Sequence, residues 1–114
     1  MTDVHSQSPA DAPVPATNQP DPQFFQRADA HIFLSNDQLA AAPRGEVTAS
    51  MMYGLARFNA WMAAVSYGSA QALAEQRDKS LEYFVGQYRI MLEDNLDDYI
   101  RNFDRLLAAP PDAP

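Results

Sequence analysis

Two stretches decide the fold of this chain: residues 48–68, TASMMYGLARFNAWMAAVSYG, and residues 77–107, RDKSLEYFVGQYRIMLEDNLDDYIRNFDRLL. In both, large apolar side chains return every three or four positions, which is the spacing of one face of an α-helix. Nowhere do apolar and polar residues alternate for long enough to predict a half-buried strand. The pattern therefore predicts an all-α fold in which each helix buries one face.

Capping and breaking residues predict three helices. The first helix is expected at residues 21–42. It should begin at Asp21-Pro22, because aspartate favours the N-cap and proline the first helical position, and it should stop before Pro43. The second helix is expected over 48–68. Thr48 should cap its start, and Gly68 should end it by taking the left-handed conformation. The third and longest is expected over 77–108. Residues 69–76 are ambiguous and fit a short helical connector.

The two ends of the chain differ in composition from the middle. Residues 1–20 contain four prolines and no aromatic side chain, and residues 109–114 read APPDAP. Such segments bury too little apolar surface to offset the entropy of ordering them. We therefore expect one helical domain at 21–108, a three-helix antiparallel bundle with a long C-terminal helix, between two disordered tails.

The net negative charge of the chain indicates which classes of partner are not expected. The chain has 15 acidic and 8 basic residues, a formal net charge of −7 and a single lysine, Lys79. Nucleic acids and anionic membrane surfaces attract clustered lysine and arginine, so neither is an expected partner. A membrane span at 49–67 is disfavoured by the central Arg57. The absence of cysteine and of a signal-peptide pattern favours a cytoplasmic protein.

No constellation of catalytic residues stands out. His31 has no partner at helical spacing, because Asp29 lies only two positions away and faces another direction. The acidic residues between 93 and 104 lack the spacing of a calcium loop and fit a solvated helix face. We therefore expect no metal, no cofactor and no enzymatic activity.

Four polar residues interrupt the apolar pattern at positions where helices should meet: Arg57, Asn59, Asn95 and Asp98. Buried polar groups need partners, since leaving one unpaired costs about 1–3 kcal/mol. One hypothesis is that Arg57 pairs with Asp98 or Asp29 and that Asn59 bonds to Asn95, which would set the helix register. The other is a small polar pocket that binds an anion or another small ligand.

Met52, Tyr53 and Trp61 carry large side chains on the second helix and are possible contact residues, since methionine and aromatic residues are enriched at interfaces. A partly buried core position is the alternative for Trp61. A helical domain of this size buries only a modest core, and a second copy would add burial. The leading hypothesis is a helical protein–protein interaction module that forms a homodimer; the alternative is a small-ligand or anion-binding protein.

Four segments resemble a family of short, mainly proteobacterial helical proteins that is catalogued as a domain of unknown function. The resemblance covers about 80 residues and omits both tails. It implies a compact helical protein of the bacterial cytoplasm and brings no established activity or functional residue. The segments that carry it are Phe24-Phe25-Gln-Arg27-Ala-Asp29-Ala, Met52-Tyr53-Gly-Leu-Ala-Arg57-Phe58-Asn59-Ala60, Tyr83-Phe84-Val-Gly-Gln-Tyr88 and Asn95-Leu96-Asp97-Asp98-Tyr99-Ile-Arg-Asn102-Phe103.

Overall fold

The computed structural model describes residues 21–108, and within that range the chain is helical without any strand. The all-α prediction is confirmed. The predicted count of three helices is not, because two short helices accompany three long ones. The predicted disordered tails lie outside the described residues. The helices are α1 (Phe24–Gln38), α2 (Arg44–Tyr67), α3 (Ala70–Glu75), α4 (Arg77–Arg101) and α5 (Phe103–Leu107).

Asp21 is not the N-cap of α1 that the sequence predicted, because the helix begins at Phe24 and its N-cap is Gln23; the Asp21 side chain instead contacts the residues around the helix start. Its Oδ1 accepts a hydrogen bond from the backbone N–H of Gln23 at 2.8 Å, and its Oδ2 pairs with the guanidinium of Arg27 at 2.7 Å. The hydrogen bonds from Arg27 and Gln23 hold the pKa of the Asp21 carboxyl below its usual range. At its other end α1 stops at Gln38, four residues before the predicted end, and a turn follows in which the N–H groups of Ala41 and Ala42 donate to the Gln38 carbonyl at 3.0 and 3.1 Å.

α2 begins at Arg44, four residues before the predicted cap at Thr48. Pro43 takes the N-cap position in an extended conformation, and its carbonyl oxygen accepts hydrogen bonds from the N–H groups of Glu46 and Val47 at 3.0 and 3.1 Å. The predicted start was therefore wrong. Pro43 is itself the N-cap of α2, and the helix follows it without an intervening turn. The predicted end is confirmed, since Gly68 has a φ of 80° and donates its N–H to the Ala64 carbonyl at 2.9 Å.

The ambiguous connector is a helix. Ser69 caps α3, because its Oγ accepts a hydrogen bond from the Ala72 N–H at 3.1 Å. The predicted long third helix is divided at Asn102, whose Nδ2 donates to the carbonyl oxygen of Asp98 at 3.3 Å and to its Oδ1 at 2.8 Å. Asparagine side chains compete in this way with the helical backbone, and α5 follows as a separate short helix.

Helix packing is mainly between neighbours in the chain: α1 with α2, α2 with α3, α3 with α4, and α4 with α5. α3 contacts both α2 and α4, and these two long helices make little direct contact with each other. The arrangement is therefore open.

Very little apolar surface is buried within the single chain. Among residues 21–108, Val47 and Ala63 are the only apolar side chains in the buried class. The predicted burial of each helical stripe is wrong for the isolated chain, because packing confined to chain neighbours leaves α2 and α4 uncovered. Large apolar side chains with at least 40% of their surface exposed are Phe25, Phe33, Leu34, Leu39, Met51, Met52, Tyr53, Leu55, Phe58, Trp61, Leu81, Val85, Tyr88, Ile90, Leu92, Leu96, Ile100, Phe103 and Leu107.

Substitution of alanine for Gly68 and for Gly54 should change the stability of the protein in opposite directions. Gly68→Ala places a side chain in the left-handed region and should destabilise the protein by about 1 kcal/mol. Gly54→Ala lies in the interior of α2, where an added Cβ meets nothing within 4 Å, and should stabilise it by up to about 1 kcal/mol. Urea unfolding at one fixed protein concentration measures both. Equal effects would contradict the assigned end of α2.

Candidate functional site

A groove of about 700 Å³ lies between α2 and α4, and α3 closes one end of it. We call it the α2–α4 groove. It exists because α3 separates the two long helices while packing against both. Its volume falls within the range of ligand sites, about 300–1,000 Å³.

One face of α2 forms the first wall of the groove. Its residues follow the spacing i, i+3, i+4, i+7, i+8 and i+11, which places them in line along the helix. Three of the six are alanines, so few side chains project from this face and the α2 backbone lies close to the open space. The six are Met52, Leu55, Ala56, Asn59, Ala60 and Ala63.

The wall formed by α4 carries larger side chains than the α2 wall, and it is apolar except at the end near α3. It has the same spacing along its helix, and α3 adds three apolar side chains at the closed end: Ala70, Leu73 and Ala74. Water is therefore in contact with apolar surface on three sides of the groove, which is unfavourable in proportion to the area. The α4 residues are Arg77, Ser80, Leu81, Phe84, Val85 and Tyr88.

Three polar side chains line the α2–α4 groove: Asn59, Arg77 and Ser80. Arg77 is largely exposed, and its Nη1 donates to Asp78 Oδ1 at 2.8 Å, so its charge is already paired. Ser80 is only 7% exposed, and its Oγ has no hydrogen-bond partner among the described residues. A buried hydroxyl without a partner costs about 1–3 kcal/mol, and the Ser80 Oγ itself has almost no surface open to the groove.

The structure does not bring the four predicted polar residues together. Asn59 lines the groove, whereas the Nδ2 of Asn95 donates to the Met91 carbonyl of its own helix at 2.8 Å. Asp98 accepts from Asn102, also within one chain segment. Arg57 makes no hydrogen bond or ion pair with any residue of 21–108. The predicted bridges between helices are therefore not formed among residues 21–108, where Asn95 and Asp98 bond within their own chain segment instead.

The three predicted contact residues are all exposed, and Trp61, at 56%, is not a core side chain of the single chain. Met52 lines the groove, whereas Tyr53 and Trp61 lie outside it. The ring of Trp61 lies 5.6 Å from that of Phe58, and the two planes are tilted by 33°. These two exposed rings form an aromatic pair on the surface of α2.

Sequence reasoning missed Ser80. The serine lies four residues before Phe84 on the apolar stripe of the third helix, so helical spacing alone could have marked it as an inward-facing polar residue. It was overlooked because a serine near a helix start is usually solvated. The groove itself had no sequence signal, since it depends on the angle between two helices.

Within residues 21–108, no three histidine, aspartate or glutamate side chains are close enough together to hold a metal ion. None of the helices there has the length and apolar content required to cross a bilayer. His31 is exposed on α1, where its carbonyl oxygen accepts a hydrogen bond from Ser35 Oγ at 3.0 Å.

The fold and the groove define a small all-α protein with an apolar groove open to solvent. Residues 24–100 match the family model described as a protein of unknown function, DUF3144. Because the match covers more than half of the chain, the protein belongs to this family, and the resemblance to a family of unknown function is confirmed. We found no significant match among curated proteins or among solved structures.

The unpaired state of Arg57 leads to a prediction for Arg57→Gln. Since the guanidinium has no partner within residues 21–108, its removal should change the free energy of unfolding by no more than about 0.5 kcal/mol. Denaturant unfolding with Arg89→Gln as control measures this, because Arg89 makes an exposed ion pair with Glu93 at 3.2 Å that is itself worth little. A loss well above that of the control would show that Arg57 is paired in the assembled protein.

Proposed function

We propose that this protein is a helical protein–protein interaction module that acts through self-association, with a homodimer as its working form. One observation carries the proposal: the apolar faces of α1, α2 and α4 are left exposed by their own chain. A bundle completed between two copies would cover them. A bacterial, cytoplasmic setting is part of the proposal and rests on the sequence alone.

The exposed area is of the size that a stable interface needs. Seven aromatic side chains are among the exposed ones, and each, when half exposed, offers about 100 Å². They are distributed over α1, α2, α4 and α5, and their summed area approaches the roughly 800 Å² that each partner buries in a standard interface. Monomeric proteins rarely expose apolar patches beyond a few hundred Å², so a partner of the size of a protein domain is favoured.

α2 supports the same proposal through its composition. Its 24 residues include three charged ones, Arg44, Glu46 and Arg57, two of them in the first turn. A helix that is apolar around most of its circumference is normally buried. In the single chain, Val47 and Ala63 are its only residues in the buried class, and a second copy can supply the missing cover.

A second candidate function is the binding of a small apolar ligand in the α2–α4 groove. The volume of the groove and its mostly apolar lining favour it. The anion-binding form of this hypothesis has less support, because Arg57 lies outside the groove and Arg77 is already paired with Asp78.

The ligand hypothesis predicts that the protein carries an occupant from the cell. Native mass spectrometry of protein purified without detergent should then show a monomer with an added small mass, and Ala60→Trp, which places a bulky ring in the groove, should remove that mass. Ala30→Trp on the exposed face of α1 is the matched control. A bare monomer, or an added mass that both variants retain, would contradict ligand binding in this groove.

Self-association predicts a mass of about twice 12.7 kDa in solution. Light scattering and sedimentation equilibrium should show this dimer, and its melting temperature should rise with protein concentration, because association stabilises only the folded chain. A strict monomer at high concentration would contradict the proposal.

Trp61 is the only tryptophan of the chain and reports directly on the interface. If a second copy covers it, its fluorescence emission should shift to longer wavelength as the dimer dissociates on dilution. If the emission stays constant while the mass falls from dimer to monomer, the protein self-associates but Trp61 is not part of the interface.

A further inference from the structure

We infer that α3 and α4 can straighten into one continuous helix, which folds back onto α2 and closes the α2–α4 groove. Gln76, the single residue between α3 and α4, is the hinge. The groove is then the open state of a helical hairpin, and no second molecule is needed to fill it. The inference is independent of the proposed self-association, because Phe58 and Trp61 lie outside the groove and closure leaves them exposed.

The interruption at Gln76 is slight. Its φ of −104° and ψ of 9° depart from the helical values of about −63° and −42°. Even so, its N–H donates to the Ala72 carbonyl at 3.1 Å, and its own carbonyl oxygen accepts from the Ser80 N–H at 2.9 Å. Both bonds have the spacing of an α-helix. A change in the backbone angles of this one residue would therefore join the two helices.

The sequence on both sides of the hinge favours a continuous helix. Residues 70–79 read AQALAEQRDK, which are strong helix formers apart from Asp78, and neither glycine nor proline occurs between residues 69 and 85. In a continuous helix the N–H groups of Arg77, Asp78 and Lys79 would donate to α3 carbonyls. In the open structure they donate to no backbone carbonyl among residues 21–108, so straightening would give each of them a partner.

α3 and α4 already present a single face to the groove. When the lining residues of both helices are counted along one continuous helix, at 100° for each residue, they fall within about 80° of one line. Straightening therefore keeps the side chains of both helices facing α2. These lining residues are Ala70, Leu73, Ala74, Arg77, Ser80, Leu81, Phe84, Val85 and Tyr88.

The two long walls of the groove match each other in the antiparallel orientation. Both reach α3, the α2 wall at its C-terminal end and the α4 wall at its N-terminal end. In the register in which facing residue numbers sum to 140, each wall residue of α2 lies level with one of α4. The midpoint of this register is Ala70, next to the Gly68-Ser69 turn, which is where the turn of a hairpin has to be. The facing pairs are Met52 and Tyr88, Leu55 and Val85, Ala56 and Phe84, Asn59 and Leu81, Ala60 and Ser80, and Ala63 and Arg77.

Side-chain size fits this register. Ala56 faces Phe84, so the small side chain leaves room for the ring, and Ala60 faces Ser80, so two small side chains allow the helices to approach closely. Closure would remove water from the apolar walls on both sides, which is favourable in proportion to the area buried. The open groove therefore has a matched cover within its own chain.

A disulfide at the open end of the groove tests the closure, because the chain has no cysteine of its own. Met52→Cys and Tyr88→Cys are introduced together, and the full chain is oxidised at low protein concentration. A disulfide requires two Cα atoms within about 7 Å, whereas α2 and α4 make little direct contact in the open structure. We expect a disulfide within one chain, detected by intact mass and by peptide mapping under non-reducing conditions.

The matched control is Tyr53→Cys combined with Tyr88→Cys. Residue 53 is turned by about 100° from residue 52 around the axis of α2, so its thiol should form the disulfide much more slowly. Absence of the disulfide between residues 52 and 88, or equal rates in the two double variants, would overturn the closure. A disulfide found only between chains would also overturn it and would leave the proposed self-association in place.

A larger side chain on the α2 wall tests the register. Added to the Met52→Cys/Tyr88→Cys chain, Ala56→Leu should slow disulfide formation, because the longer side chain meets Phe84 in the closed state. Ala30→Leu, at an exposed position of α1, should leave the rate unchanged. Equal rates with both substitutions would overturn the register.

Substitutions at Gln76 test the hinge in the same double-cysteine chain. Glycine is disfavoured in a helix interior relative to alanine, so Gln76→Gly should form the disulfide up to about fivefold more slowly than Gln76→Ala. Equal rates in these two variants would show that residue 76 is not helical in the closed state, and the straightening of α3 and α4 would be overturned.

Discussion

The structure depends on one constraint: α2 is apolar around most of its surface, and its own chain does not cover it. Only Val47 and Ala63 along its length are buried. Apolar surface in contact with water costs about 25 cal/mol for each Å², so a helix of this composition is stable only where other surfaces exclude water from it. Apolar side chains on α1 and α4 are exposed in the same way. The self-association that we propose would supply the surfaces that cover them.

The short helix α3 determines how that core is left open. Gly68 ends α2 with a left-handed residue, Ser69 caps the next turn, and six helical residues separate the two long helices before Arg77 begins α4. A tight hairpin would allow α2 and α4 to pack side by side. The inserted helix packs against both instead, and the α2–α4 groove results. Ser80, on the α4 wall, is buried, and its Oγ has no hydrogen-bond partner among residues 21–108.

Part of the candidate site could be predicted from the sequence. Met52 and Asn59 were singled out by their residue types, and both line the groove. The expected partnership of Arg57 with Asp98 failed, and so did that of Asn59 with Asn95. Whether two side chains on different helices meet depends on the distance and angle between those helices, and the spacing of residues along one helix contains no information about either. Asn95 instead bonds to a carbonyl one turn away in its own helix.

The sequence by itself determined the properties that arise within a few residues of the chain. These are the all-α class and the end of α2 at Gly68, because helical periodicity and glycine geometry are local. Only the tertiary structure decided that the apolar stripes do not meet within one chain, that a groove separates α2 from α4 and that Ser80 is buried beside it. These features depend on how far α3 spaces the long helices, a distance set by packing between segments that are remote in the sequence.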